Sequence, residues 1–152
     1  MLKAWLPVVL WMGLMFFGST DLLSAEHTSR FLTPFLRWLD PDVSRRTIAQ
    51  VHLLVRKAAH VTEYAILAGL LFRALRGSID GFWRRAALVF VPVMLFATAD
   101  EYHQRFVPSR TGSFYDVLVD CSGALLGIAR CRAIHLALLR RKAVPAQNLA
   151  RP

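Results

Sequence analysis

Apolar residues come in runs along this chain, and the polar residues that interrupt them fall at helical spacing. Residues 4–20 carry no charge and follow Lys3. The run is longer than the ~7–15 residues of a signal-peptide core and holds Trp5 and Trp11, so a retained membrane helix is expected over a cleaved leader. Residues 21–46 are mixed and contain Pro34 and Pro41. Within them Phe31, Phe35, Trp38 and Leu39 fit one face of a short helix lying at a lipid surface; a loop with a few buried anchors is the plainer reading. Residues 42–75 read as one long helix, capped by Ser44 or Asp42, with Ile48, Val51, Val55 and Ala58 at helical spacing. Its charge-free part is short, 64–72, so His60 and Glu63 sit inside or at the edge of the apolar span. The two glycines of "RGSIDG" mark a turn. A third helix is expected over 82–104. Its uncharged stretch, 86–99, falls short of the ~20 residues a bilayer needs, and Phe82, Trp83 and Tyr102 can lengthen it as interfacial anchors. Pro92 is expected to kink it. After the turn "VPSRTGS", a fourth helix is expected over 114–142.

Composition agrees with these runs. The 152 residues suffice for one domain, and 55% of them are hydrophobic, with a mean hydropathy of +0.40. Soluble proteins are usually ~45–50% apolar. The expected fold is therefore all-α: an integral membrane bundle of about four transmembrane helices with an interfacial helix. Residues 1–142 form the membrane domain, and 143–152 a polar tail expected to be disordered. The net charge of +9 could suggest nucleic acid, but the basic residues gather at the ends of apolar runs and no nucleic-acid signature is present, so no such partner is expected. Cys121 and Cys131, ten positions apart on one expected helix, would stand ~15 Å apart, too far for a disulfide.

Charge placement sets an orientation. Arg73, Arg76, Arg84 and Arg85 lie between the second and third spans, and Arg130, Arg132, Arg140, Arg141, Lys142 and Arg151 follow the fourth. Only Arg105 and Arg110 lie between the third and fourth. By the positive-inside rule both chain ends face the cytoplasm in a cell (plasma or inner) membrane. Arg30, Arg37, Arg45, Arg46, Arg56 and Lys57, in the first connection, argue the other way. Whichever side it faces, antiparallel connectivity brings three polar helix ends to one leaflet.

Those ends carry the candidate chemistry. Lys57, His60, Glu63, Tyr64 and Leu67 lie on one helical face. An ionisable residue at membrane depth costs ~2.5–3.5 kcal/mol on insertion scales and normally faces protein or water. His60 alone would read as a satisfied core histidine; Glu63 one turn on weakens that reading. Asp100 and Gln104 share a face, and Glu101 and Arg105 share the next, where they can form an exposed ion pair. Asp116, Asp120, Gly123 and Gly127 form a fourth stripe. "GALLG" is a small-residue pattern that lets another helix backbone approach closely, so the aspartates are expected to point inward.

With these residues in place, the chain resembles the VanZ-like family of small multi-pass bacterial membrane proteins. The match covers about 57–127. It rests on Lys57, His60 and Tyr64; on Asp100, Glu101, Gln104, Phe106, Pro108 and Arg110; and on Asp116, Gly123 and Gly127. Asp120 stands where the family pattern has asparagine, a change that alters either a ligand contact or an internal hydrogen bond. The resemblance implies a membrane protein of the cell envelope. The family takes its name from an accessory protein of glycopeptide resistance linked to teicoplanin.

Three roles compete. In the first, an outward polar pocket lined by Lys57, His60, Glu63, Tyr64, Asp100, Glu101, Gln104, Phe106, Arg110, Asp116 and Asp120 binds an amphiphile, such as a lipid-linked wall precursor or a glycopeptide. Arg110 and Lys57 would meet anionic groups, and Tyr64 and Phe106 apolar or sugar faces. In the second, His60, Asp100, Glu101 and Asp116 act as acids and bases of a membrane-embedded enzyme. In the third, the polar residues only hold short helices together through interhelical hydrogen bonds. Carboxylates and imidazole can ligate a divalent metal, but no H-E-x-x-H or other metal signature is present, and neither metal nor cofactor is expected.

Overall fold

The computed structural model describes residues 2–18, 25–106 and 113–149, and the side chains among them except those of 25–28 and 142–149. They form five helices and no strand: α1 (Leu2–Gly18), α2 (Ala25–Leu39), α3 (Arg45–Ala74), α4 (Phe82–Gln104) and α5 (Phe114–Leu149). The helices expected from the apolar runs are all present, and α4 has the expected bounds. The short helix read from Phe31, Phe35, Trp38 and Leu39 is present as α2, and the alternative of a loop is not. In α2, Leu32, Thr33 and Leu36 are half-buried while Phe31, Phe35 and Trp38 point outward. α5 runs on to Leu149, so residues 143–149 are helical, where disorder was expected.

Local chemistry explains the boundaries. Ser44, the expected cap, starts α3: its Oγ accepts the Thr47 amide at 3.0 Å, satisfying one of the first orphan donors of the helix. Leu75 closes α3, with its amide bonded to Leu71 O. Gly81, at φ 80°, turns the chain into α4, a conformation that a side chain disfavours. Arg85 holds this turn by donating from Nη2 to Ile79 O at 2.7 Å, and its guanidinium lies 5.0 Å from the Phe72 ring centroid. Ser113 starts α5, with its Oγ accepting the Tyr115 amide.

α3 is the hub. It packs against each of the other four helices, most extensively against α5. That packing is close because α5 is bare at two positions. A Cβ on Gly123 would collide with the backbone carbonyl of Val61, and one on Gly127 with that of Ala65. The core is thin: Tyr64, Leu67 and Ala68 of α3, Val89, Val93 and Ala97 of α4, Val117, Ala124 and Ile128 of α5, and Val8 and Met15 of α1. Many large apolar side chains face outward instead, among them Leu10 and Phe17, Leu53 and Leu54, Val91 and Leu95, Leu125 and Leu126. Of the described helices α4 alone is long and apolar enough to cross a membrane; α1 is apolar but shorter. The bundle of about four spans is thus shown only as an all-α fold with one helix of spanning length.

Candidate functional site: a polar cavity where three helices meet

The first half of α3, the end of α4 and the start of α5 lie together at one end of the bundle. They enclose a small cavity lined by Arg56, Lys57, His60, Glu101, Gln104, Asp116, Val119 and Asp120. The space it encloses is about 10 Å3, close to the ~10–15 Å3 needed to hold one water molecule. An ion or a water molecule fits inside; anything larger can meet only the residues at its mouth.

Two cross-helix contacts set the cavity wall. Lys57 Nζ donates to Asp116 Oδ1 at 2.5 Å, and Arg56 Nη2 lies 3.5 Å from the other oxygen, Oδ2. One turn deeper, His60 Nδ1 is hydrogen-bonded to Asp120 Oδ1 at 3.0 Å. The pairing is a register match. Residues 57 and 60 are three apart on α3, 116 and 120 are four apart on α5, and both spacings stay on one helical face. α4 contributes the third side. Glu101 Oε2 accepts the Ser113 amide at 3.0 Å, tying the end of α4 to the start of α5. Gln104 Nε2 donates to Asp100 Oδ2 at 3.0 Å.

Burial separates the mouth from the interior. Lys57 and Arg56 have side chains about one-third exposed, whereas Asp120 is 0% and Glu101 4% exposed. Asp120 Oδ2, Glu101 Oε1 and Asp100 Oδ1 are buried and have no hydrogen-bond partner among the described residues, and the same holds for the Tyr64 hydroxyl. His60, Glu101 and Asp120 can each present one ligand atom within 4.8 Å of the other two.

Of the residues singled out in the sequence, Lys57, His60, Glu101, Gln104, Asp116 and Asp120 come together around the cavity. Glu63 is half-buried on α3 outside the lining, and its carbonyl accepts the Trp11 indole N–H at 3.0 Å. Tyr64 is fully buried in the core, facing Phe96 with ring centroids 6.3 Å apart, and so is placed to pack rather than to meet a ligand's sugar face. Asp100 is buried behind Gln104. Phe106, past the end of α4, is 70% exposed and packs edge-on against Tyr102. Arg110 and Pro108 lie outside the described residues. Glu101 and Arg105 do not pair as the i,i+4 spacing allowed: the carboxylate turns inward to Ser113, and Arg105 is exposed. Gly123 and Gly127 face the α3 backbone below the aspartates.

Arg56, Val119 and Ser113 were not foreseen. Arg56 stands four residues before His60 and so shares its stripe, a signal hidden by reading it as a flanking positive charge. Ser113 could be recognised as a cap, being a serine just before an apolar helical run; its amide contact with α4 is tertiary and leaves no trace in local sequence.

A protein-family model described as VanZ/LLP1 matches residues 4–136, a stretch that includes every residue of the cavity. No curated protein and no solved structure matches the chain.

Proposed function

Because the chain belongs to the VanZ/LLP1 family, we propose that it is a multi-pass protein of the cell membrane whose cavity mouth, on the extracytoplasmic side, binds the anionic head group of an envelope amphiphile such as a lipid-linked wall precursor. An accessory role in resistance to teicoplanin-type glycopeptides is the setting in which such capture would matter. One observation carries the reading: at the cavity mouth two cations, Arg56 and Lys57, share a single carboxylate, Asp116. A net positive charge is left facing outward, and Arg and Lys are the usual partners of phosphate oxygens.

The membrane assignment draws on α4, long and apolar enough to span, and on the apolar faces that α1, α3, α4 and α5 turn outward. Large exposed apolar surfaces mark lipid or partner contact. These four helices are the proposed spans. α2, with Phe31, Phe35 and Trp38 outward, lies in the interface. Arg73, Arg76, Arg84 and Arg85 around the α3–α4 turn support a cytoplasmic position for that end and for both chain termini.

The test replaces Arg56 and Lys57 together by glutamine and compares membrane yield, binding of a polyprenyl phosphate in nanodiscs, and teicoplanin sensitivity of producing cells. Wild-type yield with binding reduced at least tenfold and a changed sensitivity supports the reading. Unchanged binding and sensitivity at wild-type yield sinks it, and losses that only track yield favour a purely structural role for the cluster.

The His60–Asp120 contact favours a second reading, catalysis on the same class of substrate. A carboxylate on Nδ1 orients an imidazole and leaves Nε2 to move a proton. His60→Gln would then abolish turnover while retaining binding of the polyprenyl phosphate; turnover that survives the substitution refutes it.

A further inference from the structure

Inside the cavity, beyond the cations of its mouth, three ligand-type side chains converge from three different helices. His60 comes from α3, Glu101 from α4 and Asp120 from α5, and one donor atom of each lies within 4.8 Å of the other two. We propose that these residues form a binding site for a small divalent transition-metal ion, Zn2+ or Mn2+, at the base of the cavity.

The residues are of the right kind. Imidazole suits zinc and its neighbours in the first transition row, and carboxylates suit manganese and zinc, so one His with two carboxylates selects these ions over calcium, which takes six to eight oxygens. The spacing is right as well. Donors at ~2.1 Å from one ion stand ~3.4 Å apart in a tetrahedral site and ~3 Å or ~4.2 Å apart in an octahedral one. His60 Nδ1 and Asp120 Oδ1 are already 3.0 Å apart, and no pair is wider than 4.8 Å, so closing on an ion takes rotamer adjustments of about an ångström.

A second observation points to a ligand independently of the grouping. Asp120 is 0% and Glu101 4% exposed, both line the cavity, and each has a buried carboxylate oxygen without a hydrogen-bond partner among the described residues. A buried, unpartnered carboxylate oxygen carries a desolvation cost that a cation or a proton must offset. His60 meets only the other oxygen of Asp120, Oδ1, and the remaining basic residues of the lining, Lys57 and Arg56, pair with Asp116 at the mouth. The partners that are present hold the ligands in place: the Ser113 amide fixes Glu101 through Oε2, leaving Oε1. Such second contacts are what orient metal ligands. The site is independent of which amphiphile occupies the mouth.

The experiment uses the full chain, purified in detergent with a histidine-free tag, stripped with EDTA and given Zn2+ or Mn2+ alone. Bound metal is measured by elemental mass spectrometry, and Mn2+ also by electron paramagnetic resonance. The variants are Glu101→Gln and Asp120→Asn. Each keeps a carbonyl oxygen able to accept the Ser113 amide or the His60 ring N–H, so the stripped forms should fold; His60→Gln is the third variant should either fail to accumulate. Wild type should bind about one ion per chain, with a higher melting temperature than the stripped form. Each variant should lose at least tenfold in affinity, with its metal-free melting temperature close to wild type. Asp80→Asn, which alters an exposed acid at the far end of α4 about 30 Å away, should bind as wild type does. Wild type binding neither ion up to millimolar concentration, or a Glu101→Gln/Asp120→Asn double variant binding as tightly as wild type, overturns the proposal and leaves protons as the charge that the two carboxylates carry.

Discussion

Replacing His60 by Leu would leave the carboxylate of Asp120, wholly buried, without its only hydrogen-bonded partner among the described residues. Breaking a buried pair from one side typically costs about 3–5 kcal/mol, because the surviving charge is uncompensated. His60→Leu should therefore lower unfolding stability in detergent by about that amount, and adding Asp120→Leu should recover most of it. A double variant no more stable than His60→Leu would show that the pair does not act as a unit. Lys57→Met should behave differently. Its partner Asp116 keeps Arg56 at 3.5 Å and the Lys57 side chain is one-third exposed, so the loss should stay below about 1 kcal/mol. At this scale the sequence showed which residues are polar and which face of each helix they share. It did not show that residue 57 meets 116 and 60 meets 120, because cross-helix register depends on how the two backbones settle against each other. Nor did it show that Glu101 prefers the Ser113 amide to Arg105, a choice made by burial and not by spacing.

Among the helices, the α3–α5 contact is where geometry leaves least room. Gly123→Ala or Gly127→Ala would push a methyl group into the backbone of Val61 or Ala65, and overpacking of this kind costs about 1–3 kcal/mol. Gly69, on α3, meets nothing within 4 Å, so Gly69→Ala should be neutral or stabilising by up to about 1 kcal/mol through helix propensity. Thermal unfolding of the three variants checks the contrast; equal effects at all three positions would show that the glycines are not packing contacts. Here the sequence was legible. "GALLG" shows the close approach, and the edges of α4 follow from Gly81 before it and the polar cluster at its end. α2 was harder to read, because Pro34 and a mixed composition weaken the helical signal, and its helix is held partly by tertiary contact, such as that of Thr33 Oγ1 with His52 Nε2 at 3.2 Å.

For the molecule as a whole, the same residues that build the cavity obscure the topology. α3 carries Lys57, His60 and Glu63 and α5 carries Asp116 and Asp120. These polar stripes lower the mean hydropathy of both helices, so that α4 alone reaches spanning character by length and composition. In the four-span arrangement proposed above, a buried polar site would blur the hydropathy profile of the helices that carry it. Cysteine labelling tests the arrangement. In a background with Cys121 and Cys131 replaced by alanine, a cysteine at Ser113 should react with an impermeant thiol reagent added outside intact cells. One at Gly77, in the α3–α4 turn, should react only after the cells are opened. Both sites reacting from the same side would rule out the four-span topology.

The central place of α3 also has a consequence in time. A chain is made from its N-terminus, so α3 is in place, with Lys57 and His60 exposed on its polar face, before the residues that complete them exist. Asp116 and Asp120 arrive with the last helix. The nascent protein therefore passes through a stage in which the four helices before α5 have been made and the cationic stripe of the hub lacks its carboxylates. Docking of α5 ends that stage by bringing two glycines against the α3 backbone and two aspartates against its stripe in one motion. Loss of α5 would thus remove more than one wall of the cavity. It would leave the polar face of α3 uncovered, a mark by which cellular quality control can tell an unfinished chain from a finished one.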